Sequence, residues 1–76
     1  MEETIQFFYD FIREFRVNID HAIPARPLRM RLVTASPVIS NNIEAVINQL
    51  IDRGILRTED NVLFLTEEGF RKIYNQ

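Results

Sequence analysis

The chain of 76 residues predicts one small α+β domain, mainly helical, in the order α-α-α-β-β-α. Three observations carry that prediction. Apolar residues recur at helical spacing from Thr4 to Asp20, and more cleanly from Ile39 to Arg53, where the pattern stops at Gly54. Two short β-prone runs then follow, Ile55 to Thr58 and Val62 to Leu65, joined by the polar residues Glu59, Asp60 and Asn61. No internal repeat divides the chain, so residues 1–76 are read as a single domain around a single core.

In the first element, Ile5, Phe8, Ile12, Phe15 and Ile19 define one helical face, with Thr4 as a candidate N-cap. Phe7 and Phe11 widen the apolar arc to roughly 200°, against the ~100° stripe of an ordinary surface helix. A single core does not require so wide an arc. Phe8 and Phe15 are therefore expected inside, while Phe7 and Phe11, with Tyr9 at the rim, are expected to meet a second copy in a homodimer through this N-terminal helix. Pro24 and Pro27 break the pattern, making Asp20 to Arg26 a connection. Over residues 27–35, Leu28, Met30 and Leu32 alternating with Arg29 and Arg31 suit a strand, whereas Leu28, Leu32 and Ala35 suit a short helix. The helix is preferred because another helix follows.

That next helix has the clearest signals. Ser36-Pro37 supplies an N-cap and a first-turn proline, Ser40 is a second candidate cap, and Ile39, Ile43, Val46, Ile47, Leu50 and Ile51 keep one apolar side. Gly54 suits the left-handed residue beyond a helix C-terminus. After the hairpin, Thr66 is a candidate cap, Glu67 and Glu68 complement the dipole of the first turn, and Phe70, Ile73 and Tyr74 form the inner side of a last short helix.

Composition excludes several chemistries. Without cysteine there is no disulfide framework, thiolate zinc site or thiol nucleophile, and the single histidine, His21, makes a histidine-rich metal site implausible. Asp10, Arg13, Glu14 and Arg16 interrupt the only Phe-rich stretch, well short of the ~18 apolar residues of a membrane span. Glu2 and Glu3 occupy the place where a secretory signal would carry positive charge. The expectation is a cytoplasmic protein with no membrane partner. Catalysis finds no support: Gly54 and Gly69 are the only glycines, His21 would have to recruit the capping residues Ser36 or Ser40, and the pairs Glu67–Glu68 and Asp10–Glu14 are pairs in sequence alone. Neither a catalytic residue, a metal nor a cofactor is expected.

Leu50-Ile51-Asp52-Arg53-Gly54-Ile55-Leu56 resembles the junction between recognition helix and first wing strand in winged helix-turn-helix proteins. Leu65-Thr66-Glu67-Glu68-Gly69-Phe70 resembles their strand-to-last-helix junction in bacterial and archaeal members. The likeness covers residues 36–76. It implies a winged-helix fold and, with it, double-stranded DNA binding by a dimeric transcriptional regulator; some members of the superfamily serve instead as protein-docking modules.

On that reading the outer side of the third helix presents Asn41, Asn42, Ala45, Asn48 and Gln49 as base-reading candidates, Asn and Gln having the paired donor and acceptor that read adenine N6 and N7. The formal net charge of −2 excludes binding by bulk electrostatics, but its distribution is uneven. Residues 1–20 hold five acids and two bases, whereas residues 21–35 hold Arg26, Arg29 and Arg31 and no acid. These three arginines, with Arg57 at the base of the wing, are the phosphate candidates. Against them stand Glu44 and Asp52 on the reading helix and an acidic hairpin tip, which is the wrong sign for entering the minor groove.

Overall fold

The order read from the residues is the order of the fold. In a computed structural model, which describes residues 2–75, α1 spans Glu2–Glu14, α2 Ala25–Thr34, α3 Pro37–Asp52, β1 Leu56–Glu59, β2 Val62–Leu65 and α4 Glu67–Tyr74.

Two helices close by the same device, and only one of them signals it. Gly54 turns left-handed after α3 (φ 77°), and the Gly54 and Ile55 amides donate to the Ile51 and Leu50 carbonyls at 3.0 and 2.9 Å. Arg16 does the same after α1 (φ 52°), with the Arg16 and Val17 amides donating to the Arg13 and Ile12 carbonyls at 3.2 and 3.1 Å. A side chain in that backbone region carries a steric cost, and nothing in the residue pattern marks it. The helix predicted over Thr4 to Asp20 therefore ends at Glu14, and Thr4 lies buried inside it rather than capping it. Replacing Arg16 by glycine removes the strain. Arg16→Gly is expected to raise stability by about 1 kcal/mol, read as a higher urea midpoint at unchanged slope.

The early stop redistributes the aromatics. Phe15 and Ile19 fall beyond the helical face and are 37% and 36% exposed, so Phe15 does not join Phe8 in the core. Phe15 instead stacks on the outer side of Phe11, with ring centres 4.5 Å apart. Because α1 packs against both α3 and α4, one chain covers most of its wide apolar arc. Phe11 and Tyr9 are buried with Phe8 and Ile12, which corrects the expectation that they face a second copy. Phe7 alone of that set remains partly exposed.

Residues 25–34 are helical, with Pro24 at the cap position and Pro27 third in the helix, where its missing amide would have had no partner within the helix. Leu28 faces the core. Ser36 caps α3 by accepting from the Ile39 amide at 3.4 Å; Ser40 is no cap, and its hydroxyl donates to the Leu32 carbonyl at 3.0 Å, fastening α2 to α3.

The segment read as a plain connection adds to the sheet. β1 and β2 pair antiparallel from Leu56 opposite Leu65 to Glu59 opposite Val62. Along the other side of β2, Ala22 bridges to Phe64, with the Asp20 and Ile23 amides donating to the Leu65 and Leu63 carbonyls at 2.7 and 2.8 Å, and the Leu65 amide donating to the His21 carbonyl at 3.1 Å. Asp60 and Asn61 both have positive φ (53° and 65°), the tight two-residue turn whose twist matches a hairpin, so Glu59 belongs to β1.

Thr66 starts α4 by accepting from the Gly69 amide at 2.9 Å, and its hydroxyl donates back to the carbonyls of Gly54 and Ile55. At the other end the Tyr74 hydroxyl donates to the carbonyls of Ile12 and Val17, 3.0 and 2.9 Å away, and burial pushes its pKa up. The last helix is thereby tied at one end to the α3–β1 junction at Gly54 and Ile55 and at the other to the end of α1 at Ile12 and Val17.

Candidate nucleic-acid interface

With Val46 and Leu50 turned inward, α3 presents Asn41, Glu44, Ala45, Asn48 and Asp52 outward, all exposed. Asn41, Ala45 and Asn48 stand at i, i+4 and i+7 in one stripe, about 10.5 Å long at 1.5 Å per residue. That length matches roughly three base-pair steps of duplex DNA.

The other two base-reading candidates are engaged elsewhere. The Asn42 side-chain amide donates to the Val38 carbonyl one turn back at 2.7 Å. Gln49 is half-buried, and its carbonyl oxygen is enclosed without a hydrogen-bond partner among the described residues. Reading adenine requires both the oxygen and the nitrogen of the amide, so Gln49 leaves the set.

The four arginines divide likewise. Arg31 forms a two-pronged pair with Glu14 and lies 5.4 Å over the Phe15 ring; its hydrogen bond and charge hold the Glu14 carboxyl below its ordinary pKa. Arg57 faces Phe64 across the hairpin with its guanidinium 4.4 Å over the ring, and pairs with Glu59 at 3.0 Å and Asp20 at 3.6 Å. Neither is uncommitted. Arg26 and Arg29 are exposed on α2, which packs against α3, and neither has an ion pair among the described residues. The Arg57–Glu59 pair is readable from strand alternation, since alternate residues share a face. The Arg31–Glu14 pair, 17 residues apart in sequence, is not.

Exposed acidic groups also stand on α3 and the hairpin. Glu44 and Asp52 stand on α3, Glu59 and Asp60 at the hairpin tip, and Arg53 at the end of α3 is exposed.

Two features lie outside the predicted set. Met30, Val33 and Val38 are exposed apolar residues, at 65%, 81% and 48%. Between α1 and the first turn of α3 lies an open depression with Phe7 and Ile39 among its walls and Glu2, Glu3, Gln6 and Asp10 around it. The spacing of Arg26, Arg29, Met30 and Val33 contained a signal for the first, and only the fold brings Ile39 to Phe7.

Among the described residues no group of three or more His, Cys, Asp or Glu side chains is placed to hold a metal ion, and no helix is long and apolar enough to cross a membrane. No family model, curated protein or solved structure matches the chain.

Proposed function

We propose that the chain is a winged-helix domain that binds duplex DNA by laying the outer face of α3 in the major groove, and that it acts in transcriptional regulation. The observation that carries this reading is the exposed stripe Asn41–Ala45–Asn48 on α3, together with Arg26 and Arg29, exposed and without an ion pair among the described residues, on the helix that packs against it. Asparagine selects adenine and the Ala45 methyl favours thymine, so the site is A·T-rich, with two adenines about three base pairs apart. Two phosphate contacts per copy give modest affinity, and the short acidic hairpin stays out of the minor groove. Selection from a randomised duplex pool at low salt is expected to enrich such sites, with Asn48→Ala relaxing preference at one position. A pool that emerges unenriched ends the proposal.

A second reading is favoured by the exposed acids of α3 and the hairpin. Glu44, Asp52, Glu59 and Asp60, together with the internal pairing of Arg31 and Arg57, suit a module that docks on another protein without touching DNA. Under that reading wild-type protein retains no duplex even at low salt, and Glu44→Lys with Asp52→Lys creates retention where there was none.

A further inference from the structure

The outward side of α2 carries Arg26, Arg29, Met30 and Val33 at i, i+3, i+4 and i+7, one continuous stripe about 10.5 Å long. Its two apolar members are the most exposed large hydrophobic residues among those described, Val33 at 81% and Met30 at 65%. Both cations are without an ion pair among the described residues. The same molecule carries the opposite surface. The depression at the start of α1 pairs Phe7 and Ile39 with the carboxylates of Glu2, Glu3 and Asp10, over a helical length of about 12 Å. Asp10 is already held by Arg13 and Gln6, which leaves Glu2 and Glu3 as its acids without an ion pair among the described residues. Two cations and two apolar side chains on one surface thus match two acids and two apolar side chains on the other, in similar lengths.

We propose that the occupant of this depression is the α2 stripe of a second copy of the chain. Met30 and Val33 of one copy cover Phe7 and Ile39 of the other, while Arg26 and Arg29 meet Glu2 and Glu3. Because every copy carries both surfaces, a closed two-fold pair makes the contact twice, and a head-to-tail arrangement makes it once per step. The charge match favours this occupant over a lipid or nucleic-acid surface, whose phosphates the acidic rim repels. It also places the self-association surface on the N-terminal helix through Phe7 alone, without Phe11 or Tyr9.

Arg26 and Arg29 cannot meet a partner's carboxylates and DNA phosphates at once. Self-association therefore competes with the duplex binding proposed above, and the duplex-binding form is the single copy. The association itself does not depend on DNA, so a measurement of oligomeric state without DNA stands or falls independently of that reading.

Sedimentation equilibrium at low salt tests it with two charge-reversed variants, Arg26→Glu/Arg29→Glu and Glu2→Arg/Glu3→Arg. Each reversal lies on an exposed helix surface, and circular dichroism checks that each variant is folded. Wild type is expected to self-associate, more weakly as salt is raised. Each variant alone sets like charge against like and is expected to be monomeric. An equimolar mixture of the two restores opposite charges at every contact and is expected to recover the association, whereas Val33→Glu abolishes it without rescue. A wild type monomeric up to ~1 mM, variants that still associate alone, or a mixture that stays monomeric would each overturn the proposal.

Discussion

Phe11→Glu is expected to unfold the protein or to lower its thermal midpoint steeply, whereas Phe7→Glu folds with a wild-type circular dichroism spectrum. Phe11 is 2% exposed, in the core with Phe8 and Ile12, and Phe15 stacks on its outer side. Removing a buried phenyl ring costs about 3–5 kcal/mol, and an unpaired carboxylate in its place adds a desolvation cost of further kcal/mol. A domain of this length has roughly 4–11 kcal/mol in all, so the loss takes most or all of the folding free energy. Phe7 sits at the edge of an open depression, where a glutamate stays hydrated. A folded Phe11→Glu protein with an unchanged thermal midpoint would mean that α1 does not pack between α3 and α4 as described.

Gly69→Ala is expected to destabilise by about 3 kcal/mol, against the direction of helix propensity, which favours alanine by about 1 kcal/mol. A Cβ at position 69 would stand 2.2 Å from the Ile55 carbonyl oxygen and 2.9 Å from both the Ile55 Cγ2 and the Leu65 Cδ1. The carbonyl cannot simply withdraw. It accepts from the Thr66 amide at 3.2 Å and lies 2.9 Å from the Thr66 hydroxyl, the residue that caps α4. Relief would require α4 to lift off the junction between α3 and β1. The check is the urea midpoint of Gly69→Ala beside that of Glu68→Ala, an exposed neighbour in the same helical turn. A gain in stability for Gly69→Ala would show that α4 is not seated so closely.

Legibility of the sequence followed the range of the interactions. The α3 boundaries were written locally, in Ser36-Pro37 at one end and Gly54 at the other, and the hairpin in two β-prone runs around a polar turn. The end of α1 was not, because Arg16 holds a left-handed conformation that its side chain disfavours and that no local residue signal marks. The misassignment of Phe15 followed directly, since continuing a helical wheel past Glu14 rotates later residues to the wrong side, whereas that of Phe11 came from α3 and α4 both packing on α1 and covering an arc wider than one neighbour would. The third sheet segment at Ala22 depends on backbone pairing with residues more than 40 positions away, which side-chain periodicity does not encode. At the candidate interface, helical geometry alone placed Asn41, Ala45 and Asn48 on the outer face. It missed Gln49, whose orientation depends on what surrounds it, and it missed the commitment of Arg31 to Glu14, a pair between residues 17 positions apart on different helices.

The most direct measurement is the salt dependence of duplex binding, taken at protein concentrations low enough to keep single copies. Anisotropy titrations of wild type and of Arg26→Ala/Arg29→Ala on an A·T-rich duplex, between ~50 and ~200 mM salt, read the number of phosphates engaged. Two arginine–phosphate contacts predict a slope of about −2 in log K against log salt for wild type, and a slope near zero with greatly weakened binding for the double variant. A wild-type protein that leaves the duplex free at the lowest salt, or a double variant whose slope equals that of wild type, would contradict the account.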